Sequence, residues 1–519
     1  MKELIYHRLL LPSIERNADR PCVTNAGNGE THSYAQHFDR VTRLVGGLQS
    51  LGVGRGDRFA VMTLNSPEYL ELYHASFIGG GVVNPLNLRF AAKELAYVLR
   101  DSGTKVCFVD AWFAGLIDSV REEAGLEHVV LVGEGDAPHD IEYEILLANA
   151  KSVVPDEGDE TDPVVLMYTG GTTGLPKGVL LDQRAEILNA YHVMMTLHLD
   201  RSTVGLIQTP MFHAASMFSV LGMPAVGAHT VIVPLFEPKA VMAAVRQYEP
   251  TITVMVPTMI GLTMSHPDFA PDGLASFSDL VYGASPMPQA LLEKLLSLYP
   301  DMNIWQGYGM TESSSVLTLL GPKEHRAEGK YLRAAGFPLT GVVLSIQDDD
   351  GNLLPAGEAG EVCARSGNYM IEYWNKPDAT AEAFRGGWYH TGDAGYLDED
   401  GYLFLVDRVK DMIVTGGENV YSTEVENAIA SHPAVLQVAV IGIPSEKWGE
   451  AVHAIVVPRE GSTVTEGELI EHARESIAGY KVPKSVEFRT EPLPLSGAMK
   501  VLKKDLREPY WAGHDRKVN

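Results

Sequence analysis

The sequence predicts an α/β fold: a large amino-terminal domain of parallel sheets that includes a β-rich subdomain, then a small α+β domain at the carboxy terminus. Three observations predict it. Short apolar runs alternate with helical spacing as far as LVYGAS at residues 280–285. From Gly336 the pattern changes to short strands and turns, and after DRVKD, residues 407–411, a second and shorter alternation begins. A chain of 519 residues also exceeds what one ordinary core organises, so domains over 1–408 and 409–519 are expected.

Phe38, Val41, Leu44, Val45, Leu48 and Leu51 recur at helical spacing, and Gly52 supplies a left-handed cap. RFAVMTL, residues 58–64, reads as a buried strand, and Ser66 before Pro67 and Glu68 as a helix start. The same rhythm returns at KVCFVD, VVLMY, TVIVPL and ITVMVP. VVPDEGDETDP, residues 153–163, is acidic and reads as a surface connection. Beyond Gly336, Asp350-Gly351 is a hairpin signal. The last segment reads as a helix from Ser422, strands near 438–443 and 452–457, and a helix near 466–477.

A composition 45% hydrophobic and 21% charged is that of a soluble globular protein. The formal charge of −26 excludes a general nucleic-acid binder or a binder of anionic membranes, both of which need a basic surface. Cys22, Cys107 and Cys363 have neither CxxC nor zinc-ligand spacing, so a reduced cytoplasmic protein with buried thiols is expected. The first 20 residues break their apolar run with His7, Arg8 and Pro12 and do not read as a signal peptide. No apolar stretch reaches the roughly 18 residues of a transmembrane helix. Peripheral lipid contact is left open, since one exposed apolar patch suffices. The oligomeric state is also open, a homodimer being the form weighed.

The most informative segment is YTGGTTGLPKGV, residues 168–179, directly after an apolar strand. Glycines let backbone N–H groups approach an anion, threonines add donors and Lys177 adds charge. The spacing is not that of a Walker loop. Further segments follow in order: YGASPM (282–287), QGYGMTE (306–312), YHTGD (389–393), DRVKDMIVTGGENVYSTEVE (407–426) and LPLSGAMKVLKKDLR (493–507). With these, nearly the whole chain resembles the adenylate-forming superfamily, which includes acyl-CoA synthetases, carrier-protein adenylation domains and beetle luciferases.

The resemblance implies an amino-terminal domain of three subdomains, a mobile carboxy-terminal domain and an active site between them. ATP, Mg²⁺ and coenzyme A are the implied cofactors and co-substrates. Thr169, Gly170, Gly171, Thr172, Thr173, Gly174 and Lys177 would hold phosphates. Gly283, Ala284 and Ser285, with Gln306, Gly307, Tyr308 and Gly309, would border adenine, Tyr308 stacking on it. Thr311 would bond phosphate, Glu312 would hold Mg²⁺, and Asp393 with Arg408 would take the ribose. Taken singly, Glu312 or Asp393 reads as a solvated acid; their places in ordered motifs give them these roles.

Attack of a carboxylate on the α-phosphorus brings two anions together and needs cations. Lys500 stands at the position of the family lysine that reaches both. Met499 replaces the glycine usual before it, so a different backbone is expected there. His213, in PMFHAASM, matches a histidine beside the acyl site. Gly416, Gly417 and Glu418 resemble the lining of a pantetheine tunnel, and Lys410 matches a hinge about which the small domain rotates between half-reactions.

For the acid itself, Met211, Phe212, Met217, Val256, Thr258, Met259, Gly283 and Ala284 form an expected lining that is apolar. Small Ala214, Ala215 and Gly283 would leave it room. A medium- or long-chain carboxylic acid passed to coenzyme A is the first expectation. The alternatives are an aromatic acid of cinnamate or benzoate type, an acyl-AMP ligase loading a carrier protein, and, in another class, a silent nucleotide-binding protein.

Overall fold

The computed structural model describes residues 3–169, 175–285, 287–326, 331–408, 413–415, 418–445, 447–497 and 499–512, with the side chains of 218, 407, 408, 414, 418 and 419 set aside. Local signals produce the expected elements. Helix Tyr34–Ser50 starts at Ser33, whose side chain accepts from the Gln36 N–H while the Gln36 side chain returns to the Ser33 N–H, and Gly52 follows it at φ +77°. Ser66 caps helix Pro67–Phe77 through the Tyr69 N–H.

Two sheets dominate the large domain. In the first, Val82–Pro85, Arg58–Met62, Val106–Val109 and His128–Leu131 run parallel, and the antiparallel pair Pro163–Thr169 and Lys177–Asp182 continues it beyond Val82–Pro85. In the second, Asn303–Tyr308, Asp279–Gly283, Ile252–Met255, Val204–Ile207, His229–Ile232 and Pro21–Asn25 lie parallel in that order. One apolar cluster joins the two: Phe59, Val61 and Val165 from the first sheet meet Val23, Ile207 and Ile232 from the second, with Leu44, Tyr73, Ile187 and Val220 from helices. The β-rich region is an antiparallel sheet of Val343–Gln347, Gly360–Arg365, Tyr389–Leu397 and Leu403–Arg408.

The small domain has its own sheet, in which Gly449–Pro458 pairs antiparallel with Val435–Ser445 along its length and also pairs with Ile413–Thr415, antiparallel, and with Ser485–Phe488, parallel. Its faces bury separate clusters, one with helices Ser422–Ala430 and Glu466–Arg474 and one with helix Lys503–Trp511. Among the described residues no helix is long and apolar enough to cross a membrane.

Topology places the motifs. In parallel sheets the loops that leave the carboxyl ends of neighbouring strands lie side by side. Strands ending at Ile207, Met255, Gly283 and Tyr308 are consecutive neighbours in the second sheet, so His213, Val256, YGAS and QGYGMTE converge. Their pairing aligns Tyr282 with Gln306 and Gly283 with Gly307. In the first sheet the strand ends at Pro85 and Thr169 release Asn87, Arg89 and the glycine-rich segment.

Candidate active site

On one wall of the cleft, Thr169 and Lys177 face each other in register across the antiparallel pair. Residues 170–174, expected to hold phosphate, lie outside the described residues. Lys177 Nζ sits 4.8 Å from the centroid of the Tyr373 ring, and the Tyr373 hydroxyl donates to Glu312 Oε1 at 2.8 Å. Burial first and the Glu312 carboxylate second push the Tyr373 hydroxyl upward, so it stays protonated and donates. Glu312 itself lies on the short 3₁₀ turn Thr311–Ser313, pinned from below by the buried Asn368, whose amide donates to the carbonyls of Ser313 and Val316. Tyr373 and Asn368 escape a sequence reading because each is more than fifty residues from the turn it supports.

Tyr308 and Asp393 meet at 2.8 Å, the hydroxyl donating to Oδ2, and Asp393 pairs in register with Arg408. The turn before Asp393 is held by Glu361, which accepts from the Gly392 N–H at 3.0 Å and lies 2.8 Å from His390 and 2.7 Å from Arg385. Glu361, Cys363 and His390 are the one group of metal-ligand types among the described residues, and the Arg385 charge on Glu361 makes a structural clasp the better reading. Gln306 accepts from the Tyr282 hydroxyl at 2.9 Å. Ala284 is exposed at φ +67°, and Ser285 is half-buried beside it. A Cβ on Gly309 would stand 2.1 Å from the Ser315 carbonyl, so that glycine allows a close backbone approach.

The acyl side departs from expectation at Gly283. A Cβ there would lie 2.4 Å from the Gly307 carbonyl, so the smallness of Gly283 serves strand packing and opens no space for a substrate. Ala214 is buried in the core. The expected lining divides between two clusters, Met211, Phe212 and Met217 in the one shared by both sheets and Val256 and Met259 in the one beneath the second. Thr258 is half-buried.

Opposite stands the hairpin that carries Lys500. Leu495 and Val501 bridge, Ser496 donates to the Lys500 carbonyl at 2.7 Å, and the Lys500 N–H returns to Ser496 Oγ. Met499, where a different backbone is expected, stands at φ +61°, the left-handed conformation that glycine adopts freely. Its side chain packs against the cluster of Val256 and Met259, with the sulfur 3.9 Å from Arg89. Arg89 also donates to the Leu495 carbonyl, and a Cβ on Gly497 would meet Asn87 and Phe212, so the hairpin sits against loops of both large sheets. His213, which follows the Phe212 that the hairpin meets, is held down to about 3, by burial and then by the Lys500 charge, so it is neutral. Lys410, Gly416 and Gly417 lie outside the described residues, as do the side chains of Arg408 and Glu418.

Similar proteins share this fold. The family profile of AMP-binding enzymes matches residues 12–374, and that of the AMP-binding enzyme C-terminal domain matches residues 424–500. A feruloyl-CoA synthase of Amycolatopsis sp is 38% identical over 500 residues, 96% of this chain and 98% of that one. The fatty acid–[acyl-carrier-protein] ligase ScoC of Streptomyces coeruleorubidus is 35% identical over 496 residues, 95% of this chain and 94% of that one. Among solved structures, ATP-bound MatB from Rhodopseudomonas palustris, 27% identical, superposes with a TM-score of 0.89 over 99% of this chain and 100% of that one. The apo form of the same MatB, with the same coverage, reaches 0.78.

Proposed function

We propose a reaction from one premise: the chain belongs to the AMP-binding enzyme family and is an AMP-forming acid–thiol ligase. It joins a carboxylic acid to ATP as an acyl-AMP, releasing pyrophosphate, and then passes the acyl group to coenzyme A. The observation that carries this reading is the chain Lys177–Tyr373–Glu312 in the large domain, together with a hairpin carrying Lys500 that packs on Arg89, Asn87 and Phe212, the residue before His213.

The acid's carboxylate and the triphosphate repel each other, so their approach depends on cations fixed in advance. We assign Lys500 to the carboxylate and α-phosphate oxygens, Lys177 with the 170–174 segment to the departing pyrophosphate, and Thr311 to the α-phosphate. Neutral His213 orients the acid without adding charge. Tyr308 and the backbone of 283–285 and 306–309 take adenine, and Asp393 with Arg408 takes ribose. Glu312 suits Mg²⁺, a hard ion that takes few carboxylates beside phosphate oxygens, and its Oε1 is already oriented by Tyr373. When bound, the ion supplies charge neutralisation at the phosphates.

The closer likeness to the ATP-bound form of MatB supports an arrangement ready for the first half-reaction. For the second, we propose that the 409–519 domain turns as a unit about Lys410, withdrawing Lys500 and presenting Gly416, Gly417 and Glu418 to the thiol of coenzyme A. Apolar Met211, Phe212, Met217, Val256 and Met259 favour a medium- or long-chain aliphatic acid. The 38% identity to a feruloyl-CoA synthase favours an aromatic acid as second reading. Three buried free thiols fit a reducing cytoplasm.

The test is purified protein with ATP, Mg²⁺, coenzyme A and a panel of acids, reading AMP and acyl-CoA by mass spectrometry. AMP and pyrophosphate in equal amounts are expected. ADP as the stoichiometric product overturns the reaction, and acid-dependent exchange of pyrophosphate without acyl-CoA moves the acceptor to a carrier protein.

A further inference from the structure

The strand Tyr389–Leu397 is irregular where it carries Asp393. Its neighbour Gly360–Arg365 pairs Cys363 with His390 and Glu361 with Ala394, so the single residue Val362 faces Thr391, Gly392 and Asp393 together. Such a bulge interrupts the ladder and re-aims the side chains that it carries. Gly392 turns it at φ +70°, a left-handed conformation that glycine adopts without strain.

Two N–H groups of the bulge are taken by side chains. Glu361 Oε1 accepts from the Gly392 N–H at 3.0 Å. Thr391 Oγ1 accepts from the Asp393 N–H at 3.1 Å while its own hydroxyl donates to the Val362 carbonyl at 2.8 Å. Glu361 is in turn fixed from outside: exposed Arg385 donates to Oε2 at 2.7 Å and His390 Nδ1 lies 2.8 Å from the same oxygen, which leaves Oε1 to Gly392. On the inner side the Asp393 carboxylate accepts from the buried Tyr308 hydroxyl at 2.8 Å. A line of direct contacts therefore runs from Arg385 at the surface through Glu361 and the bulge to Asp393 and Tyr308.

We infer that Glu361 and Thr391 are positioning residues, which hold the bulge so that Asp393 presents its carboxylate to the ribose hydroxyls, and that the preference for a nucleotide bearing those hydroxyls passes through them. The inference rests on the assignment of Asp393 to ribose. Neither side chain has to touch the nucleotide. Hydrogen bonds weaken steeply as their distance and angle depart from the optimum, so a bulge released at Gly392 or Thr391 costs Asp393 its grip on the sugar while the phosphate contacts persist.

The test offers the intact chain ATP or 2′,3′-dideoxy-ATP, with an acid that yields AMP, and reads AMP release. The unaltered protein should prefer ATP by about 10- to 100-fold in kcat/KM, and Asp393→Ala should abolish the preference. Glu361→Ala and Thr391→Val should each cut it at least about fivefold by lowering the rate with ATP, while the rate with the dideoxy nucleotide changes less than about twofold. Damage to the fold alone would lower both rates alike. Added to Asp393→Ala, Glu361→Ala should change the preference no further. Glu361→Gln keeps an acceptor for the Gly392 N–H and should keep the preference. Thr391→Val, close to threonine in shape, carries the test where Glu361→Ala does not fold. A preference unchanged in a folded Glu361→Ala or in Thr391→Val, equal losses with both nucleotides, or a preference lost in a folded Glu361→Gln overturns the positioning role. If the unaltered protein uses both nucleotides equally well, Asp393 is removed from ribose and the inference falls with it, but the reaction stands; if no acid yields AMP with ATP, the reaction falls too.

Discussion

The two walls of the cleft are built differently. On the wall proposed to hold the nucleotide, Lys177, Tyr373 and Glu312 form a continuous chain, and Tyr308 and Asp393 hold each other, so side chains of distant strands lock one another in place. Lys500 arrives on a tight hairpin that touches the large domain through Arg89, Asn87, Phe212 and the Met499 side chain. The first wall is preorganised by the packing of the large domain, whereas the second is delivered by a domain with its own core. Such a division suits a group needed in one half-reaction and absent from the next.

The largest effect should come from the delivered wall. Lys500→Ala is expected to slow acyl-adenylate formation about 100- to 1,000-fold, the range for losing one preorganised electrostatic contact, while the reaction of supplied acyl-adenylate with coenzyme A changes far less. Single-turnover kinetics on each half-reaction decide it, and equal losses would erase the distinction between the walls.

Next is the locked wall. Tyr373→Phe removes a hydrogen bond to a carboxylate, commonly about 1.5–3 kcal/mol, while keeping the ring beneath Lys177, so adenylation should fall about 10- to 100-fold. Glu312→Ala should fall at least as far, with partial rescue by added Mg²⁺, and the double variant no further than Glu312→Ala alone. An additive double variant would show that Tyr373 and Glu312 do not act as one unit.

Met499 sharpens the comparison at smaller scale. Met499→Ala loses the packing yet keeps the strain of a left-handed residue, about 1–2 kcal/mol, whereas Met499→Gly loses both. Adenylation by the glycine variant should therefore exceed that of the alanine variant by about fivefold or more. Equal rates in the two variants would mean that the strain at residue 499 does not affect how the hairpin is held.

The smallest effect concerns pH. His213 in the folded protein is lowered to about 3, so adenylation should show no histidine limb between about pH 5 and 8. The sign for stability follows from linkage: as pH falls from about 6.5 toward 3 the unfolded chain takes up a proton that folded His213 refuses, so stability is lost on the acid side. His213→Asn should flatten that acid loss in a melting series, and an unchanged slope would mean that His213 is protonated in the fold.

Lys500, Glu312 and Asp393 could be singled out in the sequence as candidates because each sits in a short motif whose residues are neighbours along the chain. The left-handed backbone at residue 499 was not legible, since methionine there gives no local hint that the hairpin on both sides requires it. Gly283 misled in the opposite sense: its size suggested room for a substrate, but a neighbouring strand uses that room.

The sequence by itself determined the alternation of elements, the caps at Ser33 and Ser66, and the order of the motifs, all of which depend on residues a few positions apart. Only the tertiary structure decided that four parallel strands deliver those motifs to one edge, that Tyr373 joins Lys177 to Glu312, and that Glu186 and Asn189 are buried without hydrogen-bond partners among the described residues. Those outcomes depend on contacts between segments tens or hundreds of residues apart, and the periodicity of one segment carries no record of which distant strand will pack beside it.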